Sequence, residues 1–304
     1  MTIIYSCVID HQRMYRYQGL VFASTLIDLG GVEPSSIVVH AIEGVPDKTK
    51  DALRKIGVSV VTVAPFDRRH RFSNKLVQLE SRALQDADHV VLCDADLAFA
   101  GPIARWITGS RLRGKTVDHA LPPMPVWRDI LVAFGFDGDP ASRPATHSGE
   151  LTYANNLNGG LYIVPQPLFE RLGAVWPEWN RRVLDRVDLL GEYHVHVDQV
   201  SLALALTAMG EEVDYLPPEL NYPVHIPFRV GTLKEPPLVL HYHTRLSARG
   251  RLLPIGEPKA DRSVQLVNMA IARRGLAATS LRKSLVITAK QWARSWRRGA
   301  RAAS

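Results

Sequence analysis

The chain has few cysteines and no long apolar segment, and both absences limit what kind of protein it can be. It contains two cysteines in 304 residues, Cys7 and Cys93. Both lie in apolar runs, where free cysteine packs as a small hydrophobic side chain, so we expect neither a disulfide nor a zinc site. No stretch reaches the roughly 18 apolar residues of a membrane-spanning helix, and residues 1–10 lack the basic start of a signal peptide. We therefore expect a cytoplasmic protein.

Acidic residues are missing from the last part of the chain. Residues 262–304 contain ten lysines or arginines and no aspartate or glutamate, while the whole chain has a net charge of +7. Residues 1–261 therefore carry 27 basic and 30 acidic side chains, a mildly acidic balance. The basic character belongs to the C-terminal segment. Because the rest of the chain has no recognition motif for nucleic acid, we expect no nucleic-acid partner.

Residues 281–301 of this segment have the pattern of a basic amphipathic helix. Leu281, Leu285, Trp292 and Trp296 fall on one stripe at the helical period, and most basic side chains fall on the other side. Docking on an anionic membrane surface would suit this pattern. A disordered tail, or a helix packed on the rest of the protein, would also explain it.

An alternation of strand and helix patterns fills the first hundred residues. Apolar runs typical of buried strands occur at 3–9, 36–41, 58–63 and 89–93, and segments of helical period lie between them at 17–29, 48–56 and 75–85. This order predicts an α/β fold with a mostly parallel, twisted sheet flanked by helices.

The pattern weakens after residue 99 and then returns. Residues 110–156 are rich in proline, glycine and short polar runs, with one helix predicted at 127–134. Further strands are predicted at 158–164 and 237–242, and further helices at 167–187 and 198–209. We therefore predict one domain over residues 1–255 and a basic, helical tail over residues 256–304.

Two aspartates, in Asp94-Ala95-Asp96, directly follow the predicted strand at 89–93. Ligands of a parallel sheet bind beyond the carboxyl ends of its strands, where these carboxylates would lie. Two carboxylates at i and i+2 can hold a divalent cation against a phosphate. The triplet is also short enough to arise by chance, so its meaning depends on the rest of the chain.

Three other segments have polar groups at a strand end or a helix start. Asn158-Gly159-Gly160 allows close backbone approach to a ligand, or is simply a tight turn. Asp198-Gln199 opens an apolar helix, where Asp198 would also serve as an ordinary cap. His241-Tyr242-His243 ends an apolar run, where an imidazole could join a two-carboxylate cation site or be an ordinary core or surface histidine.

The order of these segments resembles that of the family 8 glycosyltransferases of the GT-A fold, which include glycogenin and bacterial lipooligosaccharide galactosyltransferases. The resemblance covers most of residues 1–250. Its landmarks after the first strand are Tyr15, Asn74-Lys75-Leu76, Asp94-Ala95-Asp96, Leu157-Asn158-Gly159-Gly160-Leu161, Val197-Asp198-Gln199 and Val239-Leu240-His241-Tyr242.

The resemblance implies transfer of a sugar from a nucleotide-sugar, most often a UDP-sugar, with the anomeric configuration retained and Mn²⁺ or Mg²⁺ bound. Residues 1–100 would form the nucleotide-binding half, and residues 101–255 the acceptor and metal-closing half. By the matching positions, the metal ligands would be Asp94, Asp96 and His241; the donor contacts Val8, Asp10, Tyr15, Lys75, Ala95 and Gly159; and the catalytic or sugar-lining residues Asn158, Asp198 and Gln199.

The segment after His241 departs from the family pattern. The family usually has a glycine after its metal-binding histidine and, a few residues later, a lysine that contacts the diphosphate. Here the chain continues Tyr242-His243-Thr244-Arg245. His243, Arg245 or Arg249 would then replace the lysine as a contact to the phosphate, since each can donate to a phosphate oxygen.

Several alternatives stay open at this stage. Retention by two displacements would use Asp198 as the nucleophile, whereas transfer on one face of the sugar needs no nucleophile. A nucleotidyltransferase or a phosphatase could use the same two aspartates, although residues 9–17 lack glycine and Leu97 stands where a phosphatase would have a threonine or a similar small residue. A non-catalytic nucleotide-sugar binding protein, in effect a degenerate transferase, is a further alternative.

The acceptor is less defined than the donor. It would be a glycan, a small molecule or a lipid-linked molecule, held by residues 110–156 and by the loop at 217–235. If residues 281–301 dock on the membrane, a lipid-linked or envelope-glycan acceptor would fit, and the protein would be peripheral on the inner face of the membrane.

Overall fold

A computed structural model of the chain describes residues 1–138, 144–226 and 233–276. The amphipathic pattern at residues 281–301 lies outside them. Within these ranges, no helix is both long enough and apolar enough to cross a membrane.

The strands are β1 (Ile3–Ile9), β2 (Ile37–Ile42), β3 (Ser59–Val63), β4 (His89–Cys93), β5 (Leu97–Phe99), β6 (Leu112–Thr116), β7 (Leu157–Pro165), β8 (Val213–Tyr215), β9 (Tyr222–Pro223) and β10 (Val239–His241). The α-helices are α1 (Arg13–Asp28), α2 (Asp47–Lys55), α3 (Met124–Ala133), α4 (Gln166–Asp185), α5 (Val197–Ala208) and α6 (Pro258–Arg273).

The chain divides into two compact units that are interleaved in sequence. Unit 1 comprises Met1–Ile4, Ala64–Leu92 and Thr108–Leu216, and unit 2 comprises Tyr5–Val63, Cys93–Ile107 and the described part of Pro217–Ser304. The structure therefore has no single boundary near residue 100, where we predicted the division into halves. Each unit draws on both the early and the late part of the chain.

Unit 2 contains two small groups of strands. β2 lies between β1 and β3 and is parallel to both; it is buried at all six positions, as expected for an apolar strand covered on both faces. β10 lies between β5, to which it is antiparallel, and β9, to which it is parallel. Helices α1 and α6 pack into one core with β10, through apolar side chains that include Tyr17, Tyr242 and Val267.

Unit 1 is built on β4, β7, β6 and β8, in that order. β6 is antiparallel to β7 and parallel to β8. β7 is buried along its whole length. Helix α5 is buried at nine of its twelve positions, because its apolar residues cover most of its circumference. α4 and α5 supply most of the helical packing of this unit.

The predicted fold class, α/β with a mostly parallel sheet flanked by helices, is confirmed. One helix differs in type from the prediction. An α-helix was predicted at residues 75–85, and the structure has two 3₁₀ segments there, Arg71–Glu80 and Arg82–Leu84. Polar side chains compete there for local hydrogen bonds. Asn74 Oδ1 accepts from the Phe66 N–H at 3.0 Å, and Ser73 Oγ lies 3.0 Å from His70 Nδ1.

Helix α6 lies in the segment that we assigned to the basic tail. Val264, Val267 and Ile271 are buried in the core of unit 2, so residues 258–273 belong to that unit. The helix begins with a cap, in which the Glu257 side chain accepts from the Ala260 N–H at 2.7 Å, and proline follows at the first helical position.

Candidate active site

Asp96 is paired with two histidines from a distant part of the chain. His241 Nε2 lies 3.2 Å from Asp96 Oδ1, and His243 Nδ1 lies 3.3 Å from Asp96 Oδ2. The two imidazole rings are stacked, with centroids 4.0 Å apart. One potential ligand atom from each of the three side chains lies within 4.8 Å of the others. We call Asp96, His241 and His243 the Asp-His cluster.

The pairing of β5 with β10 builds this cluster. His241 is opposite Leu97 in the antiparallel register, and the Tyr242 N–H donates to the Asp96 carbonyl at 3.1 Å. His241 is the last residue of β10, and the chain turns just beyond it, at His243. Both rings contact Asp96, while Tyr242 is buried in the apolar core of unit 2.

The histidines determine the charge of Asp96. Burial alone would raise the pKa of this carboxyl group, but the neighbouring His241 and His243 outweigh burial and hold the pKa of Asp96 well below its usual value. Asp96 is therefore ionised at neutral pH. One carboxylate and two imidazoles are a donor set that suits a divalent cation, so these residues fit the metal that the sequence resemblance implies.

Asp94 belongs to the same unit but not to the Asp-His cluster. Its side chain is half-buried, and its charge acts on Cys7: burial first, and then the Asp94 carboxylate, raise the pKa of the Cys7 thiol. Ala95, between the two aspartates, is buried. Unit 2 thus holds both acids of the triplet, and Asp96 is the one that contacts the histidines.

The remaining unit 2 candidates lie at the end of β1, at the start of α1 and after β10. Val8 is half-buried in β1, and Asp10 Oδ1 accepts from the Gln12 N–H at 2.7 Å just beyond that strand. Tyr15 is half-buried in the first turn of α1. Arg245 already donates from Nη2 to the Pro254 carbonyl at 2.8 Å, which fixes part of its guanidinium group.

Unit 1 brings together a second set of the predicted residues. Lys75, from the 3₁₀ segment Arg71–Glu80, places Nζ 2.8 Å from Asp198 Oδ2 and donates to the Gly159 carbonyl at 3.1 Å. Asp198 lies in the first turn of α5, and Gly159 lies in β7. A Cβ atom on Gly159 would lie 2.6 Å from Lys75 Nζ and 3.4 Å from Gln199 Cγ. A side chain here would therefore displace the end of the flexible Lys75 side chain, and glycine leaves room for the ammonium group against the backbone.

Asn158 joins a buried network that the sequence analysis missed. Its Nδ2 donates to Asp118 Oδ2 at 2.7 Å, and its Oδ1 accepts from the Gly160 N–H at 2.9 Å. Asp118 also pairs with Lys115, and all three side chains are buried. The register of β6 against β7 shifts between Gly114 and Thr116, on either side of Lys115. Lys115 and Asp118 lie in the segment rich in turns, where an i,i+3 acid and base usually form a solvated pair, so no local signal distinguished them.

Gln199 is held by a neighbouring histidine. Its Nε2 lies 3.0 Å from His196 Nδ1. Burial lowers the pKa of His196, so the ring is neutral near pH 7 and can accept a hydrogen bond from the amide. The structure thus groups Lys75, Asn158, Gly159, Asp198 and Gln199 in one unit with charged and amide groups suited to sugar hydroxyls or phosphate oxygens.

Comparisons with known proteins identify the family of the chain and its fold. The family model described as the Rhodobacterales glycosyltransferase domain matches residues 6–210. No curated protein matches the chain significantly in sequence. Among solved structures, an active-site mutant of LgtC is similar with 14% identity and a TM-score of 0.55, over 87% of this chain and 95% of that one.

Two further solved structures are more distant. The apo form of mouse xyloside xylosyltransferase 1 is 13% identical, with a TM-score of 0.47, over 79% of this chain and 97% of that one. The bifunctional glycosyltransferase WbbM is 12% identical, with a TM-score of 0.46, over 90% of this chain and 51% of that one. The family model covers well over half of the chain. The chain therefore belongs to the Rhodobacterales glycosyltransferase family, and its fold is that of the GT-A glycosyltransferases.

Proposed function

We propose that this glycosyltransferase depends on a divalent metal ion and moves a sugar from a nucleotide-sugar, by the sequence resemblance a UDP-sugar, to an acceptor with retention of configuration. The observation that carries the proposal is the contact of Asp96 with His241. These are two of the three residues that the family resemblance assigns to the metal, and Asp94 is the third. Their contact is not a local consequence of sequence, because it depends on the pairing of β5 with β10.

The metal would be held by Asp96 and His241, with Asp94 available in the same unit. Bound there, a divalent ion supplies neutralisation of the charge that develops on the departing diphosphate. In unit 2, Val8, Asp10 and Tyr15 would receive the nucleoside, with the Tyr15 ring able to stack on a base.

The polar residues of unit 1 would bind the transferred sugar. Lys75 would donate to a phosphate or sugar oxygen, while Asn158 and Gln199 offer amide groups for hydroxyls. Asp198 is the available carboxylate nucleophile for a double displacement, but it is paired with Lys75. Attack would require the carboxylate to leave that cation, whereas transfer on one face would leave the pair intact. We therefore favour transfer on one face, with Asp198 as an electrostatic contact.

A lipid-linked or envelope-glycan acceptor is the second part of the proposal. Its support is the composition of the chain: residues 262–304 contain ten basic and no acidic side chains, and residues 281–301 have an amphipathic pattern. A cytoplasmic enzyme that is peripheral on an anionic membrane would meet such an acceptor at the surface. Cosedimentation of the full chain with anionic and with neutral vesicles tests this part separately, and equal binding to both would count against it.

The donor and the metal are tested together by thermal shift. UDP-, GDP-, dTDP- and ADP-sugars are screened with and without Mn²⁺, using the wild-type chain, Asp96→Asn and the exposed control Asp51→Asn. We expect metal-dependent stabilisation by UDP-sugars, lost in Asp96→Asn and kept in Asp51→Asn. A thermal shift by UDP-sugars that is the same with and without Mn²⁺, and the same in Asp96→Asn as in the wild type, would contradict the proposal. If donor and metal bind but sugar moves neither to water nor to any acceptor, the chain is a nucleotide-sugar binding protein instead.

A further inference from the structure

We infer that His243 is itself a metal ligand, so that the cation site of this chain has two imidazoles, and that the site prefers later first-row transition ions to Mg²⁺. The inference rests on the proposed metal dependence and makes it more specific. From the sequence alone, His243 was expected to contact phosphate. The structure instead puts its ring against the same carboxylate that His241 contacts.

The two contacts of Asp96 within the Asp-His cluster have the lengths expected between ligands of one ion. Nitrogen and oxygen ligands about 2.0 to 2.2 Å from a shared ion lie about 2.8 to 3.6 Å from each other in octahedral or tetrahedral coordination. The two contacts to Asp96 are 3.2 Å and 3.3 Å. They use different oxygens of the carboxylate and end on nitrogen atoms of two stacked rings. The three side chains thus converge from two segments of the chain.

The backbone at His243 supports a specific role for its ring. Its φ is +46°, and it is the one residue other than glycine with positive φ among those that the structure describes. This left-handed conformation is uncommon for a side chain with a Cβ, and residues that hold it often lie at functional sites. The conformation is held by Gln18, whose Nε2 donates to the His243 carbonyl at 2.6 Å. The turn directs the chain away from β10 while His243 keeps contact with Asp96.

The second imidazole changes which ions the site should accept. Carboxylate and water ligands suit Mg²⁺, whereas imidazole suits Fe²⁺, Co²⁺, Ni²⁺ and Zn²⁺, with affinity rising along the first-row series. Mg²⁺ also loses its water reluctantly and is seldom held by nitrogen ligands. A site made of Asp96, His241 and His243 should therefore bind Co²⁺ much more tightly than Mg²⁺.

The test uses metal binding to the full chain with no nucleotide-sugar present, so it does not depend on catalysis. The protein is stripped of metal with a chelator and titrated with Co²⁺, whose visible absorption reports nitrogen ligation, and then with Mg²⁺. The variants are His243→Asn and His243→Asp, because Asn and Asp tolerate positive φ and should preserve the turn. The control is His225→Gln, since the His225 ring packs edge-on against His243, 4.0 Å between centroids, but is not part of the Asp-His cluster.

We expect His243→Asn to weaken Co²⁺ binding by on the order of 100-fold and to change its absorption spectrum, with little effect on Mg²⁺. His243→Asp should raise Mg²⁺ affinity relative to Co²⁺, which a merely structural histidine would not do. His225→Gln should match the wild type. Melting curves of the metal-free variants close to that of the wild type would confirm that the fold is intact.

Two results would overturn the inference. One is a Co²⁺ affinity and absorption spectrum in His243→Asn that equal those of the wild type. This includes the case in which the variant binds metal normally but binds UDP more weakly, which is the result expected if His243 contacts the phosphate. The other is weaker Co²⁺ binding in His225→Gln together with unchanged Co²⁺ binding in His243→Asn. Co²⁺ binding through His243 in a chain that binds no nucleotide-sugar would support the inference and contradict the proposed function, so the two fail separately.

Discussion

Lys75 and Asp198 form an ion pair inside unit 1, with Lys75 Nζ 2.8 Å from Asp198 Oδ2 and only 11% and 6% of the two side chains exposed. The lysine also donates to the Gly159 carbonyl. Two buried charges that compensate each other are tolerated, but removal of one leaves the other without a partner in a poorly solvated environment. The pair therefore links the stability of the unit to the residues assigned to the sugar.

Replacement of Lys75 by methionine should destabilise the protein by about 3 to 5 kcal/mol, because the Asp198 carboxylate would stay buried without its cation. Urea unfolding at pH 7 measures the change. The exposed pair Arg111 and Glu212 is the matched control, with 2.7 Å between its charged atoms but with 52% and 74% of its side chains exposed. Glu212→Gln should cost less than about 1 kcal/mol. Equal effects of the two substitutions would show that burial does not govern the Lys75 pair.

Gly159→Ala should lower donor turnover with a smaller effect on stability than Lys75→Met. The new Cβ would lie 2.6 Å from Lys75 Nζ, and the flexible lysine can move away at the expense of its contact with Asp198. Gly173→Ala in α4 is the control, since its Cβ would meet the Leu79 carbonyl at an ordinary 3.5 Å. That change should stabilise the helix by about 0.5 to 1 kcal/mol. Unchanged turnover in Gly159→Ala would argue against the role given to Lys75.

Asn158→Ala should lower the free energy of unfolding by about 1.5 to 3 kcal/mol, the usual value of a hydrogen bond to a charged group. The reason is that Asp118 loses the amide donor at 2.7 Å. The free energy of unfolding in urea reports the effect. Thr108→Ala is an exposed control that also removes one hydrogen bond to a charged group, since the Thr108 hydroxyl accepts from Arg113 Nη1 at 3.2 Å. A cost for Asn158→Ala no larger than that of Thr108→Ala would contradict the buried network.

Stability should fall as the pH drops from about 6.5 to about 4, partly because of His40. Burial lowers the pKa of this imidazole to about 4, with a smaller opposing contribution from the backbone of Cys7. The unfolded chain then binds a proton between pH 6.5 and 4 that the folded chain does not, so the stability present above pH 6.5 is lost on acidification. A shift of this size corresponds to up to about 3 kcal/mol.

Urea midpoints measured at several pH values from 7.5 to 4.5 test this prediction. His40→Asn keeps a polar group near Ser6, which lies 3.1 Å from His40 Nδ1, but cannot titrate. The variant should show a shallower loss of stability with acid than the wild type. Parallel curves would mean that other groups account for the acid sensitivity.

Much of the fold followed from local pattern. Continuous apolar runs and segments with period 3.6 were enough to locate β1 to β4, β7 and helices α1, α2, α4 and α5 to within a few residues. These patterns are properties of neighbouring residues and need no knowledge of the rest of the chain. β5, β8 and β9, three residues or fewer, were not predicted, because so short a strand has no readable period and exists only through its partner.

The sequence by itself determined the fold class and the residue types at Asp94-Ala95-Asp96, Asn158-Gly159-Gly160 and Asp198-Gln199, since each motif is contiguous. Only the tertiary structure decided which of these residues touch. The antiparallel register of β5 and β10 brings Asp96 to His241 and His243, and the fold brings Asn158 in β7 to Asp118, just beyond the end of β6. Such contacts depend on strand order and register, which are fixed by the packing of the whole unit and leave no mark in the local sequence.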